Sequence, residues 1–283
     1  MAINEEFILN NMEKFELITI SSNKIYRFQQ GDDKYILKVN NISPDNLSPF
    51  WRGMKEVFAS DFDTQRENVE EILSMLSNPH IQVAQLIAKN HNNKYQVFKE
   101  VEGVSYEPDE FPNNEDIEYQ LGQFIGIIHS KHYYYFGHQK MQFRSDFKEK
   151  MLNAMSKTIQ NHWADSHAIK VLFEEISCLN ISPVSHSLIM PDISANQFIF
   201  SENLASIKAV VDFDAYVIGP REWELSVIEV CLKNSRAFKK GYEQYNPFPD
   251  ISDCRAFYRF FMYLCDPWDK QDLTTFMSRN ILF

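Results

Sequence analysis

Apolar and polar positions change rhythm once along this chain, near residue 100. Before that point they alternate with the two-residue period of strands. Residues 17–20 read Leu-Ile-Thr-Ile, residues 24–29 alternate around Ile25, Tyr26 and Phe28, and residues 34–39 read Lys-Tyr-Ile-Leu-Lys-Val. Gly31, Asp32 and Asp33 supply a turn between the last two runs, so the pattern predicts a three-stranded antiparallel meander. A short amphipathic helix precedes it, with Ile3, Phe7, Ile8, Met12 and Phe15 on one face. A loose helix is expected over 51–62. A better one is expected over 64–76, capped by Thr64, with Glu67 at the capping-box position and Val69, Ile72, Leu73 and Leu76 as its apolar stripe. Strands over 81–88 and 94–98, around a turn at His91, Asn92 and Asn93, complete a five-stranded sheet.

Residues 99–103, Lys-Glu-Val-Glu-Gly, are short and polar and read as a hinge. Beyond residue 116 the apolar spacing becomes helical. Leu121, Phe124, Ile125, Ile128 and His129 share one helix face, where a histidine is expected as a satisfied core residue. Further helices are predicted over 147–160, 166–178, 221–233, 237–245, 253–264 and 270–279, with Pro247, Pro249 and Pro267 marking breaks between the last of them. Residues 186–224 interrupt the helices. There, two β-prone runs, 197–200 and 207–211, flank the polar stretch 201–206, which predicts a hairpin. The layout is α+β: a strand-rich lobe over 1–98, a hinge over 99–103 and a mostly helical lobe over 104–283.

The hairpin carries the candidate chemistry. A turn centred near Asn203 and Leu204 places Gln197 roughly opposite Val211 and Asp212. Side-chain oxygens of Asp192, Asn196, Gln197, Asp212 and Asp214 then gather at its open end. A hard cation such as magnesium takes such a set, with its other positions left to water and phosphate. Acids near turns are common, so an ordinary hairpin with polar ends gives the same pattern. Lys38 is similarly two-sided: it closes an apolar strand, but a lysine on a solvated sheet face looks alike.

Composition narrows the partners. Of 283 residues, 44% are hydrophobic and 24% charged, which describes a globular chain. The net charge of -11 argues against nucleic acid and favours a small, cationic partner. Cys178, Cys231, Cys254 and Cys265 form no CxxC pair, so neither a zinc site nor a disulfide scaffold is expected. The first residues carry acids where a signal peptide carries lysine or arginine, and no apolar run approaches the ~20 residues that span a bilayer. The expectation is a soluble cytoplasmic protein that binds no membrane; its oligomeric state is not legible.

Over residues 18–224 the chain resembles the aminoglycoside phosphotransferases and the choline- and homoserine-type small-molecule kinases, which share the protein-kinase-like fold. The stretch Met190-Pro191-Asp192-Ile193-Ser194-Ala195-Asn196-Gln197 is similar to that family's HGD-x-x-x-x-N loop, and Val211-Asp212-Phe213-Asp214 to its I-D-[WF]-[DE] element. Gly219-Pro220-Arg221-Glu222-Trp223-Glu224-Leu225 resembles its G-D-P-x-x-D-L segment, and Gly122 with His129 its L-G-x-x-L-x-x-L-H helix. The resemblance implies an ATP-dependent kinase, with GTP as the alternative nucleotide, that uses Mg2+ to phosphorylate a hydroxyl of a small molecule. It assigns Asp192 as catalytic base, Gln197 and Asp212 as metal ligands and Glu224 as the buttress of the catalytic loop. Ser22, Asn23 and Lys38 would meet the phosphates, Glu67 would pair with Lys38, and the Lys99 carbonyl and Val101 amide would meet the base.

Three departures stand out: Met190-Pro191 for the histidine and glycine, Gln197 for the asparagine, and no glycine at Ser21-Ser22. They keep a catalytically degenerate binding protein in play. Within the kinases, an aminoglycoside or other amine-bearing acceptor stands beside a metabolic one such as choline, ethanolamine, homoserine or a thio-sugar. Glu229, Asp250, Asp253, Asp266 and Asp269 are candidate partners for an amine.

Overall fold

In the computed structural model, residues 3–76, 80–90, 94–108, 111–138, 140–183, 185–265, 272–279 and 281–283 are described. Helix α1 (Glu5–Asn11), capped by the Asn4 side chain, leads into β1 (Glu16–Ile20), β2 (Asn23–Gln30) and β3 (Asp33–Asn40). The β2–β3 turn needs a residue with positive φ, which Gly31 supplies at 63°. Helix α2 (Pro49–Phe58) begins at the Ser48 cap with proline at its first position.

The helix expected over 64–76 is two helices, α3 (Phe62–Glu67) and α4 (Val69–Met75), broken at Asn68. The cap lies three residues earlier than Thr64. The Asp61 carboxylate accepts from the Thr64 amide at 3.0 Å, and the Thr64 hydroxyl accepts from the Asp61 amide at 2.9 Å. Thr64 is thus the box partner, and Glu67 is the last residue of α3.

The strand expected over 81–88 also divides, into β4 (Gln82–Val83) and β5 (Leu86–Lys89), before β6 (Tyr95–Lys99). The turn placed at 91–93 lies outside the described residues. β1, β2, β3, β6 and β5, in that order, make the five-stranded antiparallel sheet.

Then follow α5 (Glu115–His129), β7 (Phe136–His138), β8 (Met141–Phe143), α6 (Phe147–His162) and α7 (His167–Ser177). The hairpin region holds β9 (His186–Ile189), β10 (Phe198–Phe200), β11 (Ile207–Val210) and β12 (Val217–Pro220). Helices α8 (Arg221–Cys231), α9 (Ser235–Tyr242), α10 (Arg255–Cys265) and α11 (Leu273–Ser278) complete the order. Pro267, Asp266, Asp269 and the start of the helix expected over 270–279 lie outside the described residues. β7, β8 and β12 were not anticipated; three or four residues show no period. They join β9 in a four-stranded sheet ordered β8-β7-β12-β9. Among the described residues no helix is long and apolar enough to cross a membrane.

The core does not divide where the sheet ends. A small cluster, with Ile8, Phe28, Leu37, Tyr95 and Val97, lies under the five-stranded sheet. The other large buried hydrophobic side chains among the described residues form one cluster that includes residues of α2, α3 and α4. Phe58 of α2 lies 5.4 Å, centroid to centroid, from Trp223, which lies 5.0 Å from Phe261 of α10. A Cβ at Gly53 would sit 2.7 Å from the Phe261 ring, so α2 packs closely on the second lobe. β4 does the same in backbone: it pairs in parallel with β11, Gln82 facing Ala209 and Val83 facing Val210.

Helices α5 and α9 cross closer still. A Cβ at Gly122 would lie 2.0 Å from the Phe238 carbonyl oxygen, and one at Gly241 would lie 2.0 Å from that of Tyr119. Gly122→Ala must push the helices apart and should cost about 1–3 kcal/mol, as overpacking does. A urea midpoint that falls at unchanged slope would show it; an unchanged midpoint would contradict the close crossing.

Candidate active site

A cleft of about 810 Å³ opens between the five-stranded sheet and the hairpin. Register places the hairpin's ends together. Phe198 pairs with Val210, and the Val211 amide donates to the Gln197 carbonyl at 2.9 Å. The turn is closed by Ser201 and Ser206 and passes through Leu204 in a left-handed conformation. Asp192 and Asp212 therefore both face the cleft.

Asp192 is half-buried, and its Oδ1 has no hydrogen-bond partner among the described residues. Burial, followed by the nearby Asp212 and Asp214, pushes its carboxyl up to about 7. A half-buried carboxyl that lines a cleft and is held near neutrality suits proton exchange with a ligand hydroxyl.

Lys38 on β3 is buried, and its Nζ lies 2.9 Å from Asp212 Oδ1 and 3.7 Å from Asp214 Oδ2. Burial opposes its charge, yet the two carboxylates win and hold the ammonium above its usual range. Burial likewise opposes ionised Asp212, but Lys38 holds that carboxyl low. Burial and then neighbouring Asp212 push Asp214 up, against the pull of Lys38.

Glu67 does not meet Lys38. Its carboxylate is half exposed and its nearest cation is Lys140 at 3.6 Å. Glu67 faces outward on α3, and its neighbour Arg66 faces inward. Arg66 is fully buried; one guanidinium nitrogen donates to Asn23 Oδ1 at 2.9 Å and another to the Lys38 carbonyl at 3.2 Å. The Asn23 amide in turn donates to Asp214 Oδ2 at 2.9 Å. Asn23 lines the cleft, and its side chain bridges Arg66 and Asp214. Ser22 lines the cleft, and its carbonyl accepts from the Asn41 amide at 3.0 Å, so a second strand braces this glycine-free turn.

Gln197 lines the cleft, and its side chain is bonded to its own loop. Its amide oxygen accepts from the Ser194 amide at 2.8 Å, and its nitrogen donates to the Asp192 carbonyl at 3.2 Å. The extra methylene lets the side chain fold back and close its own loop. Glu224 is buried behind that loop, accepting from the Met190 amide at 2.9 Å and lying 2.6 Å from His129 Nε2. His129 reaches Tyr242 at 3.1 Å with its other nitrogen, and the Trp223 indole donates to the Pro191 carbonyl at 3.2 Å. Met190-Pro191 is thus anchored to α8 by Trp223 and Glu224.

At the hinge, Lys99 and Val101 both line the cleft. The Lys99 ammonium pairs with Asp33 at 2.9 Å, away from any ligand role, and no partner of the Val101 amide is found among the described residues. Gly103 touches the hairpin: a Cβ there would lie 2.4 Å from the Phe200 carbonyl.

Of the acids considered for an amine, Glu229 is fully buried against Arg255 and Arg259, each at 2.7 Å. Neither Asp250 nor Asp253 lines the cleft. Sequence reasoning missed Arg66, whose inward placement depends on packing, and it placed Asp214 among the gathered oxygens without a task of its own.

Among the described residues no three His, Cys, Asp or Glu side chains form a self-sufficient metal centre. The donors nevertheless fit a hard cation completed by phosphate and water. Asp212 is an ionised, 40% exposed carboxylate whose oxygen already holds an ammonium at 2.9 Å.

No protein-family model matches the chain, and no curated protein matches it in sequence. Solved structures do match. The ADP-bound aminoglycoside phosphotransferase APH(2'')-Ib is 14% identical, with 97% of this chain and 96% of that one covered at a TM-score of 0.59. An aminoglycoside-3'-phosphotransferase of type VIII is 12% identical over 92% and 98%, at 0.60. The macrolide 2'-phosphotransferase MphH of Brachybacterium faecium is 12% identical over 89% and 80%, at 0.54. The chain has the two-lobed, kinase-like α+β fold of the aminoglycoside phosphotransferases.

Proposed function

We propose that this chain is a phosphotransferase that moves the γ-phosphoryl group of ATP to a hydroxyl of a small molecule. The observation that carries the reading is the convergence of Lys38, Asp212 and Asp192 in one cleft beside the hinge. The fold is consistent with it: a spectinomycin phosphotransferase of this fold was crystallised with ADP and spectinomycin.

Phosphoryl transfer asks mainly for positioning and charge neutralisation. The Lys99 carbonyl and Val101 amide would receive the base edge, for ATP or for GTP. Lys38 would hold phosphate oxygens under the Ser22 turn. Asp212 would hold magnesium, which when bound neutralises charge on the phosphates. Asp192 would orient the acceptor hydroxyl and take its proton, while Gln197 and Glu224 keep its loop in place.

The acceptor end of the cleft is walled by Ser48, Pro49, Phe50 and Trp51 of α2 together with Cys265. The acids found there belong to the catalytic set, so an amine-bearing acceptor would be recognised by Asp192, Asp212 or Asp214. A metabolic alcohol remains the alternative acceptor. Gln197's commitment to its own loop favours one other reading, nucleotide binding without turnover.

A thermal shift separates these. ATP with magnesium should raise the melting temperature by several degrees at 100-fold saturation, about 2.7 kcal/mol of linkage, with a smaller shift without metal. Equal shifts with and without magnesium would favour the non-catalytic reading, and no shift in either would overturn both.

A further inference from the structure

Arg66 is a buried guanidinium at the point where the resemblance calls for a carboxylate. A charge taken out of water persists only against compensating charge and hydrogen bonds. Arg66 has no exposure to the cleft, lies over the Phe62 ring at 5.4 Å and cannot follow a ligand. Its anionic neighbours are Asp214, Asp63 and Asp212. The contact toward Asp214 runs through Asn23, which receives from Arg66 at 2.9 Å and gives to Asp214 at 2.9 Å. Asp214 is tied onward to Asp212, since its amide donates to Asp212 Oδ1 at 3.4 Å.

With no ligand, Lys38 serves both aspartates. On the phosphotransferase reading, on which this inference rests, phosphate oxygens draw Lys38 away and a divalent cation replaces it at Asp212. Buried Asp214 and partly exposed Asp212 would then stand together without their shared ammonium. The guanidinium behind Asn23 is the cation that stays.

We propose that Arg66, acting through Asn23, is a positioning residue that keeps Asp214 fixed while Asp212 exchanges the Lys38 ammonium for a divalent metal ion. Asp214 is the anchored carboxylate of the pair and Asp212 the exchanging one. Arg66 touches neither nucleotide nor acceptor, so its effect appears in metal affinity.

The test is titration of Mn2+ into protein saturated with ADP, followed calorimetrically, with ADP affinity in the absence of metal measured separately. Removing a partner that orients a metal ligand weakens metal binding about 10–100-fold. Arg66→Met should lose at least about tenfold in Mn2+ affinity, with metal-free ADP affinity held within about twofold. Arg66→Lys should recover part of the loss. Asn23→Ala breaks the relay but leaves the Arg66 bond to the Lys38 carbonyl, so it tests the same loss if Arg66→Met does not fold. A folded Asn23→Ala protein with wild-type Mn2+ affinity overturns the proposal, as does an equal loss of metal-free ADP binding. Wild-type protein that takes up no Mn2+ with ADP present fails at the earlier step: it removes the phosphotransferase reading, and this inference with it.

Discussion

Asp192→Asn should slow the proposed phosphoryl transfer by orders of magnitude and, at pH 8, make the ligand-free protein more stable. The two effects have one origin. The carboxyl is held at about 7 in the folded chain by burial and by Asp212 and Asp214, against about 3.9 when unfolded. Between those values the native state binds more protons than the unfolded state, so stability falls as pH rises. The contribution is fully present below pH ~4, is lost progressively up to pH ~7 and stays lost above it. Three pH units correspond to at most ~4 kcal/mol; partial exposure of the side chain brings the expected gain at pH 8 to about 2 kcal/mol. The asparagine cannot ionise, so wild type and variant should melt together near pH 4.5 and separate by several degrees at pH 8. Turnover should fall by about 10²–10⁴-fold, the usual range for a positioned base. A variant that retains turnover would remove Asp192 from the mechanism. One that melts with wild type at both pH values would show that its carboxyl is not strained in the empty cleft.

Glu229→Ala should be the most damaging single substitution outside the cleft. The carboxylate is fully buried on α8 and receives Arg255 and Arg259 at 2.7 Å each. It also accepts from the backbone amides of Leu282 and Phe283, and Arg255 donates to the Phe283 carbonyl at 2.7 Å. Truncation leaves two guanidinium groups in the core without their anion. Breaking a buried pair from one side costs about 3–5 kcal/mol, on the order of 10 °C in melting temperature for a chain of this size. The triple change Glu229→Leu, Arg255→Met, Arg259→Met should recover most of it, since no charge then stays unpaired. Loss of under 1 kcal/mol in the single variant, measured by urea denaturation, would show that the network contributes little.

These residues also show what a sequence can and cannot disclose. The meander of β1, β2 and β3 was legible because alternation and the turn at Gly31 agree. The hairpin register was legible to within one residue, because Val211 does face Gln197. Most expected helices are present with ends shifted by a few residues, but the one expected over 64–76 is broken at Asn68. What failed were decisions made by a single side chain. Glu67 and Arg66 are adjacent on one short helix, and which of them looks inward is decided by how α3 packs on the sheet. An extra methylene on Gln197 reads as a longer ligand, yet it is also what lets the amide fold onto the Ser194 and Asp192 backbone. Glu229 reads as one more surface acid because its arginine partners are 26 and 30 residues away. Such contacts depend on tertiary packing, which periodicity does not encode.

The attachment of α2 and β4 to the second lobe has a mechanical consequence. The five-stranded sheet is tied to the rest of the molecule by the 99–103 crossing, by the stretch from α2 to β4 and, across the cleft, by Lys38 and Asn23 on Asp212 and Asp214. Separating the sheet from the hairpin would therefore have to break charged contacts at the cleft floor as well as bend the chain beside it.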